Sequence, residues 1–310
     1  MPRWTAADIP DQHGRRIVVT GSNSGIGLVT ARELARAGAS VVLACRDRGR
    51  GEAAVEAIRA AVVGADVELR SLDVSDLESV RAFADGFTGP LDVLVNNAGV
   101  MATPARLTVD GFELQLATNH LGHFALTGRL LSHLLEADAP RVVTLASLMH
   151  RLGTIAFDDL QRQRSYHPWS AYGQSKLANL LFAYELQRRA DHAGAPLLSV
   201  AAHPGYTSTN LQTAGMLLAG ASLQTRIMRV ANPLVGQSPD MGALPTLYAA
   251  TVPQLHGGSY VGPGGPLELR GHPRLVDSSA ASKDPETARR LWEESERLTG
   301  VAFSFAPALR

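Results

Sequence analysis

Tyr172 and Lys176 stand four residues apart in the segment YGQSK, and on a helix that spacing brings a phenol and an ammonium to one face. The positive charge favours the phenolate and moves the tyrosine toward the working range of an acid/base catalyst. The same spacing also serves ordinary surface pairs, so the pattern alone does not decide. Composition adds weight: Lys176 and Lys283 are the only lysines among 29 basic residues, and all the others are arginines. A chain that uses arginine wherever a generic cation suffices keeps lysine where a compact primary amine is needed, because a planar guanidinium fork does not replace it.

Ser147 closes the apolar run VVTLAS, and NNAG (96–99) closes another. Polar groups at the carboxyl ends of buried parallel strands are placed to contact ligands, although a serine there also serves as a cap or turn residue. Asn119 lies in the helical stretch LATNHLGHF, where a buried asparagine is either a site residue or a satisfied core polar group. TGSNSGIG (20–27) spaces its glycines as G-x-x-x-G-x-G. Small residues let such a turn approach a pyrophosphate, and the helix behind it offers free N–H groups and the positive end of its dipole. Glycines also simply make tight turns. His120, His123 and His150 have no metal-ligand spacing with acidic partners and read as structural or pocket-lining. Cys45 reads as a small buried apolar residue, and no G-x-S-x-G elbow marks Ser147 as a hydrolase nucleophile.

The elements that must position these residues alternate along the chain. Apolar runs stand at 16–21, 40–45, 67–74, 91–99, 141–147 and 197–205, and helical patterns at 25–38, about 50–62, 76–87 and 170–190. Continuous Val/Leu/Ile runs between helices are the mark of parallel strands buried on both faces. The expected fold is therefore α/β, a single-domain Rossmann-type doubly wound parallel sheet with helices on both faces. Residues 257–273 read as a strand and a turn-rich crossing, and 284–300 as a capped C-terminal helix ending at Gly300. No repeat or linker divides residues 1–310, so one dinucleotide-binding domain is expected.

Composition narrows the partners. Twenty-nine basic residues balance 29 acidic ones, so no excess of positive charge invites nucleic acid or anionic lipid. One cysteine in 310 residues excludes an internal disulfide framework and any multi-cysteine metal site. No run of about 18 apolar residues suggests a membrane span, and the first 16 residues lack the apolar core of a secretory signal. A cytoplasmic protein is expected, with a homo-oligomer compatible with the sequence.

TGSNSGIG, Asp73 in LDV, NNAG, Asn119, Ser147, YGQSK and HPG (203–205) stand in the order found in the short-chain dehydrogenase/reductase family, which this chain resembles over essentially its whole length. ACRD (44–47), FDDL before YHPWSAYGQSKLAN and the long Ser147–Tyr172 spacing resemble more narrowly the retinol-dehydrogenase-like and WW-domain-oxidoreductase-like branch. Ala146 departs from the Ser-Ser pair usual in that branch but leaves the matched serine in place. The resemblance implies that Tyr172 is the general acid/base, that Lys176 lowers its pKa and holds the nicotinamide ribose, that Ser147 bonds the substrate oxygen, and that Asn119 holds a water in a proton relay. It also implies that Gly21, Asn23, Ser24, Gly25, Ile26 and Gly27 face the phosphates and the adenosine ribose. Asp73 and Val74 would flank the adenine, Asn97, Ala98 and Gly99 would support its pocket, and Pro204, Gly205 and Thr207 would contact the nicotinamide end.

The implied activity is hydride transfer between a nicotinamide and a lipophilic carbonyl/alcohol pair. An idle nucleotide-sensing scaffold on the same fold and a cofactor-retaining epimerase or dehydratase are the rival readings. NADP is the expected cofactor, with NAD the alternative. The run SVVLAC ends on uncharged Cys45, and Arg46 follows it, able to pair with a 2′-phosphate. Asp47 would favour NAD if it turned inward. Residues 208–240, rich in Met, Leu and Ala after HPG, are expected to form a substrate lid.

Overall fold

Seven parallel strands and one antiparallel edge strand form a single sheet in a computed structural model that describes residues 3–207 and 236–305. The strands are β1 (Arg16–Thr20), β2 (Ser40–Cys45), β3 (Val67–Ser71), β4 (Val93–Asn96), β5 (Arg141–Leu145), β6 (Leu198–Ala202), β7 (Tyr260–Pro263) and β8 (Pro273–Leu275). They lie in the order β3-β2-β1-β4-β5-β6-β7-β8. The direction of winding reverses between β1 and β4, and a crevice opens there beyond the strand ends.

Alternation along the strands explains why their sequences are apolar throughout. Ile17, Val19, Val41, Leu43, Val93, Val95 and Val143 face one core; Val18, Val42, Leu94 and Val142 face the other. The first core is covered by α1 (Gly25–Arg36) and α2 (Arg48–Ala61), the second by α3 (Leu77–Asp85) and the helices that follow NNAG. Those begin as α4 (Leu114–Leu116), pass through a π-helical turn over Ala117–Leu121 into α5 (Gly122–Arg129), and end with α6 (Leu131–Leu135). The long α7 (Pro168–His192) and the C-terminal α9 (Pro285–Thr299) lie on the same side. Asp284 caps α9, and Gly300 ends it at φ 66°, as the sequence predicts.

Three departures from the expected elements have local causes. β3 stops at Ser71, not at residue 74, because the Asp73 carboxylate accepts from Ser75 N at 2.9 Å and its hydroxyl at 2.6 Å, a local turn that competes with the ladder. β8 is a three-residue edge strand, too short to carry a pattern. α8 (Pro239–Thr251) packs beside α1 and over β5, β6 and β7 and buries most of its residues, so it shows no amphipathic period. Of the expected lid, 208–235 lies outside the described residues. Pro239 and Asp240, at the end of that stretch, belong to the first turn of α8, capped by Ser238. Among the described residues no helix is long and apolar enough to cross a membrane.

The helix after the π turn crosses the loop that follows β3 with no room between them. A Cβ built on Gly122 would land on the Val74 carbonyl oxygen. Gly122→Ala is therefore expected to destabilise the protein by about 1–3 kcal/mol through overpacking against main chain. Urea denaturation should show the midpoint falling with the slope unchanged; a midpoint equal to wild type would show that the contact yields freely.

Candidate active site

Two turns meet at the mouth of the crevice, one after β1 and one after β4. Gly21 and Gly25 hold φ of 65° and 56°, which a side-chain-bearing residue rarely adopts. A Cβ on Gly21 would stand 2.9 Å from Ala98 Cα, and one on Gly27 would stand 2.5 Å from Asn97 Nδ2. Asn97 Nδ2 donates to Thr20 O at 2.6 Å, while the amides of Asn97 and Ala98 both donate to Thr20 Oγ1 at 2.9 Å. The glycine turn and NNAG are thus packed main chain on main chain. Ser24 stands at the N-cap position of α1, yet its side chain caps no amide. The first amides of that helix, with Gly25, Ile26 and Gly27, have no intrahelical acceptor. This bare helix end behind a glycine cradle fits a dinucleotide pyrophosphate.

Farther along the strand ends, Arg46 leaves β2 with its side chain 73% exposed and its Nη1 3.6 Å from Asp73 Oδ2. Asp47 turns away from this corner: its Oδ1 caps α2 by accepting from Arg50 N at 3.0 Å. Val74 is buried beside it. Cys45 is buried at the end of β2, in keeping with its reading as an apolar residue.

The other end of the crevice is walled by α7, which starts at Pro168 and buries Tyr172 and Lys176 to 5% exposure each. Lys176 Nζ lies 5.8 Å from the Tyr172 ring centroid and donates to the Leu145 carbonyl at 3.1 Å. That carbonyl is its one acceptor among the described residues, so two of the three ammonium N–H bonds remain for a ligand. Asn179 Nδ2 donates to the same carbonyl at 2.8 Å, and a Cβ on Gly99 would stand 3.7 Å from Nζ. Burial pushes the Lys176 ammonium down to about 8. It pushes the Tyr172 phenol up to about 12, with the Ser147 hydroxyl pulling it partly back. Here burial outweighs the neighbouring ammonium, so the lowered phenol expected from the Tyr–Lys spacing is not what this site holds.

Ser147 opens the 3₁₀ turn Leu148–Leu152, and its Oγ accepts from Met149 N at 3.3 Å. The cap reading of this serine is correct, and its hydroxyl still faces Tyr172. Asn119 sits inside the π-helical turn, where such irregularities commonly mark functional sites. Its Oδ1 accepts from Val100 N at 2.8 Å, and its Nδ2 donates to Val100 O at 3.0 Å and to Ser175 Oγ at 2.8 Å. The asparagine is fully satisfied and ties α7 to the segment after NNAG. His120, His123 and His150 are buried and hydrogen-bonded.

HPG leaves β6 at the same edge. Gly205 has φ 65°, Thr207 Oγ1 donates to Pro204 O at 2.8 Å, and Gln237 Nε2 donates to it at 2.6 Å. The expected residues thus stand in the turns after β1 and β4, at the ends of β2, β3, β5 and β6, on α7 and in the π-helical turn, with Arg46 exposed among them. Asn179, Ser175 and Gln237 join them through partners distant in sequence; the first two lie within YGQSKLAN but are not singled out there, and no motif announces Gln237.

Comparison with known proteins agrees with this arrangement. Residues 15–215 match the sequence model of short chain dehydrogenases. A polyprenol dehydrogenase of Mus musculus is 43% identical over 303 residues, covering 94% of this chain and 86% of that protein. Retinol dehydrogenase 12 of Mus musculus is 42% identical over 295 residues, covering 94% and 88%. A solved structure of an uncharacterised protein from Mycobacterium paratuberculosis is 49% identical, with a TM-score of 0.82 over 98% of this chain and 100% of that one.

A buried ammonium with a lowered pKa is a cost to the fold. Between pH 8, its folded value, and the ordinary value of 10.5, the unfolded chain binds the proton that the folded one releases, so stability rises with pH across that window. Lys176→Met should therefore raise stability at pH 7 by roughly 1–3 kcal/mol. The gain should fade between pH 8 and 10.5. Urea denaturation of the ligand-free protein across pH checks both, and a variant less stable at pH 7 would contradict the sign.

Proposed function

The chain belongs to the short-chain dehydrogenase/reductase family of NAD(P)-dependent oxidoreductases, and from that premise we propose an NADP-preferring enzyme that acts on a lipophilic carbonyl/alcohol pair with Tyr172 as general acid/base. The observation that carries the reading is the buried Tyr172–Lys176 pair, in which the ammonium keeps two N–H bonds for a ligand among the described residues. A bound nicotinamide dinucleotide supplies or accepts the hydride. The glycine turn 21–27 and the bare end of α1 would hold its pyrophosphate, Asp73 and Val74 would flank the adenine, and Asn97 to Gly99 would back the pocket. Pro204, Gly205 and Thr207 would meet the nicotinamide end.

In the reductive direction Tyr172 gives its phenolic proton to the substrate oxygen, and Ser147 donates a hydrogen bond as negative charge grows there. A phenol held at about 12 keeps its proton ready to give. Lys176 stabilises the phenolate left behind and bonds the adjacent ribose. Asn119, fixed by Val100 and Ser175, holds the π-helical turn where a relay water would sit. Lipophilic substrates are supported by the names of the relatives and by apolar surface beside the phenol: Trp169, 40% exposed, meets Tyr172 edge-on at 6.4 Å.

Preference for NADP is supported at the β2 corner. Arg46 stands exposed at the corner of Asp73, and the Asp47 carboxylate is engaged as the cap of α2, which leaves the arginine as the group offered to a 2′-phosphate.

Tyr172→Phe removes only the transferable proton. It should leave cofactor affinity within about threefold and lower turnover by roughly 10²–10⁴ on a carbonyl/alcohol panel followed by nicotinamide absorbance. Wild-type-like turnover in the folded variant would sink the assignment. Arg46→Ala should weaken NADP(H) by about tenfold or more and leave NAD(H) nearly unchanged under matched conditions, as for loss of a hydrogen bond to a charged group. Equal effects on both, or a wild type that prefers NAD(H), would overturn the cofactor assignment.

A further inference from the structure

Behind the Pro204–Gly205 turn, His203 and Glu268 form a pair that the reaction described above does not use. His203 is fully buried at the end of β6, and its ring nitrogens have partners with opposite demands. The Gly205 amide can only donate, and it points at Nδ1 over 3.2 Å. Nδ1 is therefore the acceptor and the ring proton sits on Nε2, which donates to Glu268 Oε2 at 3.1 Å. The contact is thus a neutral imidazole on a carboxylate. Burial, with His150 and Arg151 adding to it, pushes His203 down to about 3, in line with that geometry.

Glu268 reaches the histidine from a segment under strain. Leu267 and Glu268 hold φ of 52° and 56°, values that side-chain-bearing residues keep only where the surroundings over-determine them and that cluster at functional sites. The segment is fastened to the very turn in question. Tyr206 N donates to Leu269 O at 2.8 Å, and a Cβ on Gly205 would stand 2.9 Å from the Glu268 carbonyl oxygen.

The same carboxylate faces the turn opened by Ser147. Its Oε1 lies 3.6 Å from Arg151 Nη2, and Arg151 is part of that 3₁₀ turn. His150, beside it, carries the opposite tautomer: Ser279 N donates to its Nε2 at 3.1 Å, so its Nδ1–H donates to the Ser147 carbonyl at 2.7 Å. The Tyr260 ring stands between the two imidazoles, 5.8 Å from His150 and 5.1 Å from His203. Arg151 is partly exposed and its contact is long, so the ion pair adds little by itself; the bond to His203, fully buried, is the stronger link.

We propose that Glu268 is a positioning residue: through the His203 imidazole it fixes the Pro204–Gly205 turn, and through Arg151 it keeps that turn in register with the one carrying Ser147. The substrate oxygen and the nicotinamide end are then held in one alignment by a single carboxylate that touches neither. The inference rests on the reading that Pro204 and Gly205 receive the nicotinamide end.

The test compares wild type with Glu268→Ala and Glu268→Gln. Glutamine keeps an acceptor oxygen for the His203 Nε2–H; alanine keeps none. Exchange of the Gly205 amide, followed by NMR in the protein without cofactor, should speed by about tenfold or more in Glu268→Ala and stay within about threefold in Glu268→Gln. NADPH affinity by calorimetry should stay within about threefold in both, while kcat falls about tenfold or more in the alanine variant alone, since small misplacements at a reacting centre are costly. Unchanged exchange and turnover in Glu268→Ala would overturn the proposal. So would a glutamine variant as impaired as alanine, or turnover lost only in parallel with affinity and melting temperature, which marks a merely structural residue. A wild type that does not bind NADPH would overturn the functional reading and the alignment role with it, whereas the exchange measurement reads the His203 brace without any cofactor.

Discussion

One buried oxygen holds the two halves of the crevice together. Thr20 Oγ1, at the end of β1, accepts the amides of both Asn97 and Ala98 at 2.9 Å. His123 is a third partner, and the Val95 carbonyl, at 3.3 Å, a more distant fourth. The Asn119 carbonyl can only accept, so the ring proton of His123 is on Nδ1, 3.1 Å away, and Nε2 receives the Thr20 hydroxyl at 2.9 Å. Burial pushes His123 down to about 4, so the ring is neutral near pH 7 and the tautomer is the one its hydrogen bonds select. Through these bonds the glycine turn, NNAG and the π-helical turn with Asn119 move as one body. Leaving either of these partly buried amides unpaired would cost more than the bond itself contributes.

On that frame the sheet presents two different kinds of binding surface. The end near β1 and β2 is made of main chain: glycines at positive φ, a helix end without a cap, and backbone packed so closely that Gly21 and Gly27 admit no side chain. Its selectivity is for shape and for phosphate charge. The end near β5 and β6 is made of side chains taken out of water. There Tyr172 and Lys176 are buried with pKa values moved in opposite directions from those that would favour their charged forms, and the fold bears that cost where chemistry would need it.

The sequence disclosed these parts unevenly, for physical reasons. SVVLAC became β2 with the same bounds, because a strand buried on both faces has to be apolar throughout. The catalytic candidates were legible because i, i+4 spacing survives into three dimensions unchanged, and because lysine is rare in this chain. α8 was not legible, since a helix with most of its residues buried carries no period. Nor was the π-helical turn, which shifts one residue of an otherwise helical pattern. Gln237 and Glu268 were invisible for another reason: their partners, Pro204 and His203, lie 33 and 65 residues away, and Glu268 sits at a positive φ that no residue type announces.

The buried titratable groups around the crevice divide sharply by where their ionisation falls. His120, His123 and His203 are all pushed by burial to about 3 or 4 and stay neutral, which lets His123 and His203 each serve as a fixed donor–acceptor bridge. Tyr172 is pushed to about 12 and keeps its proton. Lys176, at about 8, is the one among them poised to change charge close to neutrality. The preference for lysine over arginine acquires a physical meaning here. A guanidinium would hold its charge at any working pH and demand more acceptors than the Leu145 carbonyl provides. A primary amine instead lets the charge beside the phenol respond to what occupies the crevice: an added anion or hydroxyl partner favours the ammonium, and the ammonium in turn favours the phenolate. In the proposed function, the residue that looked anomalous in composition would couple occupancy of the site to the acidity of Tyr172.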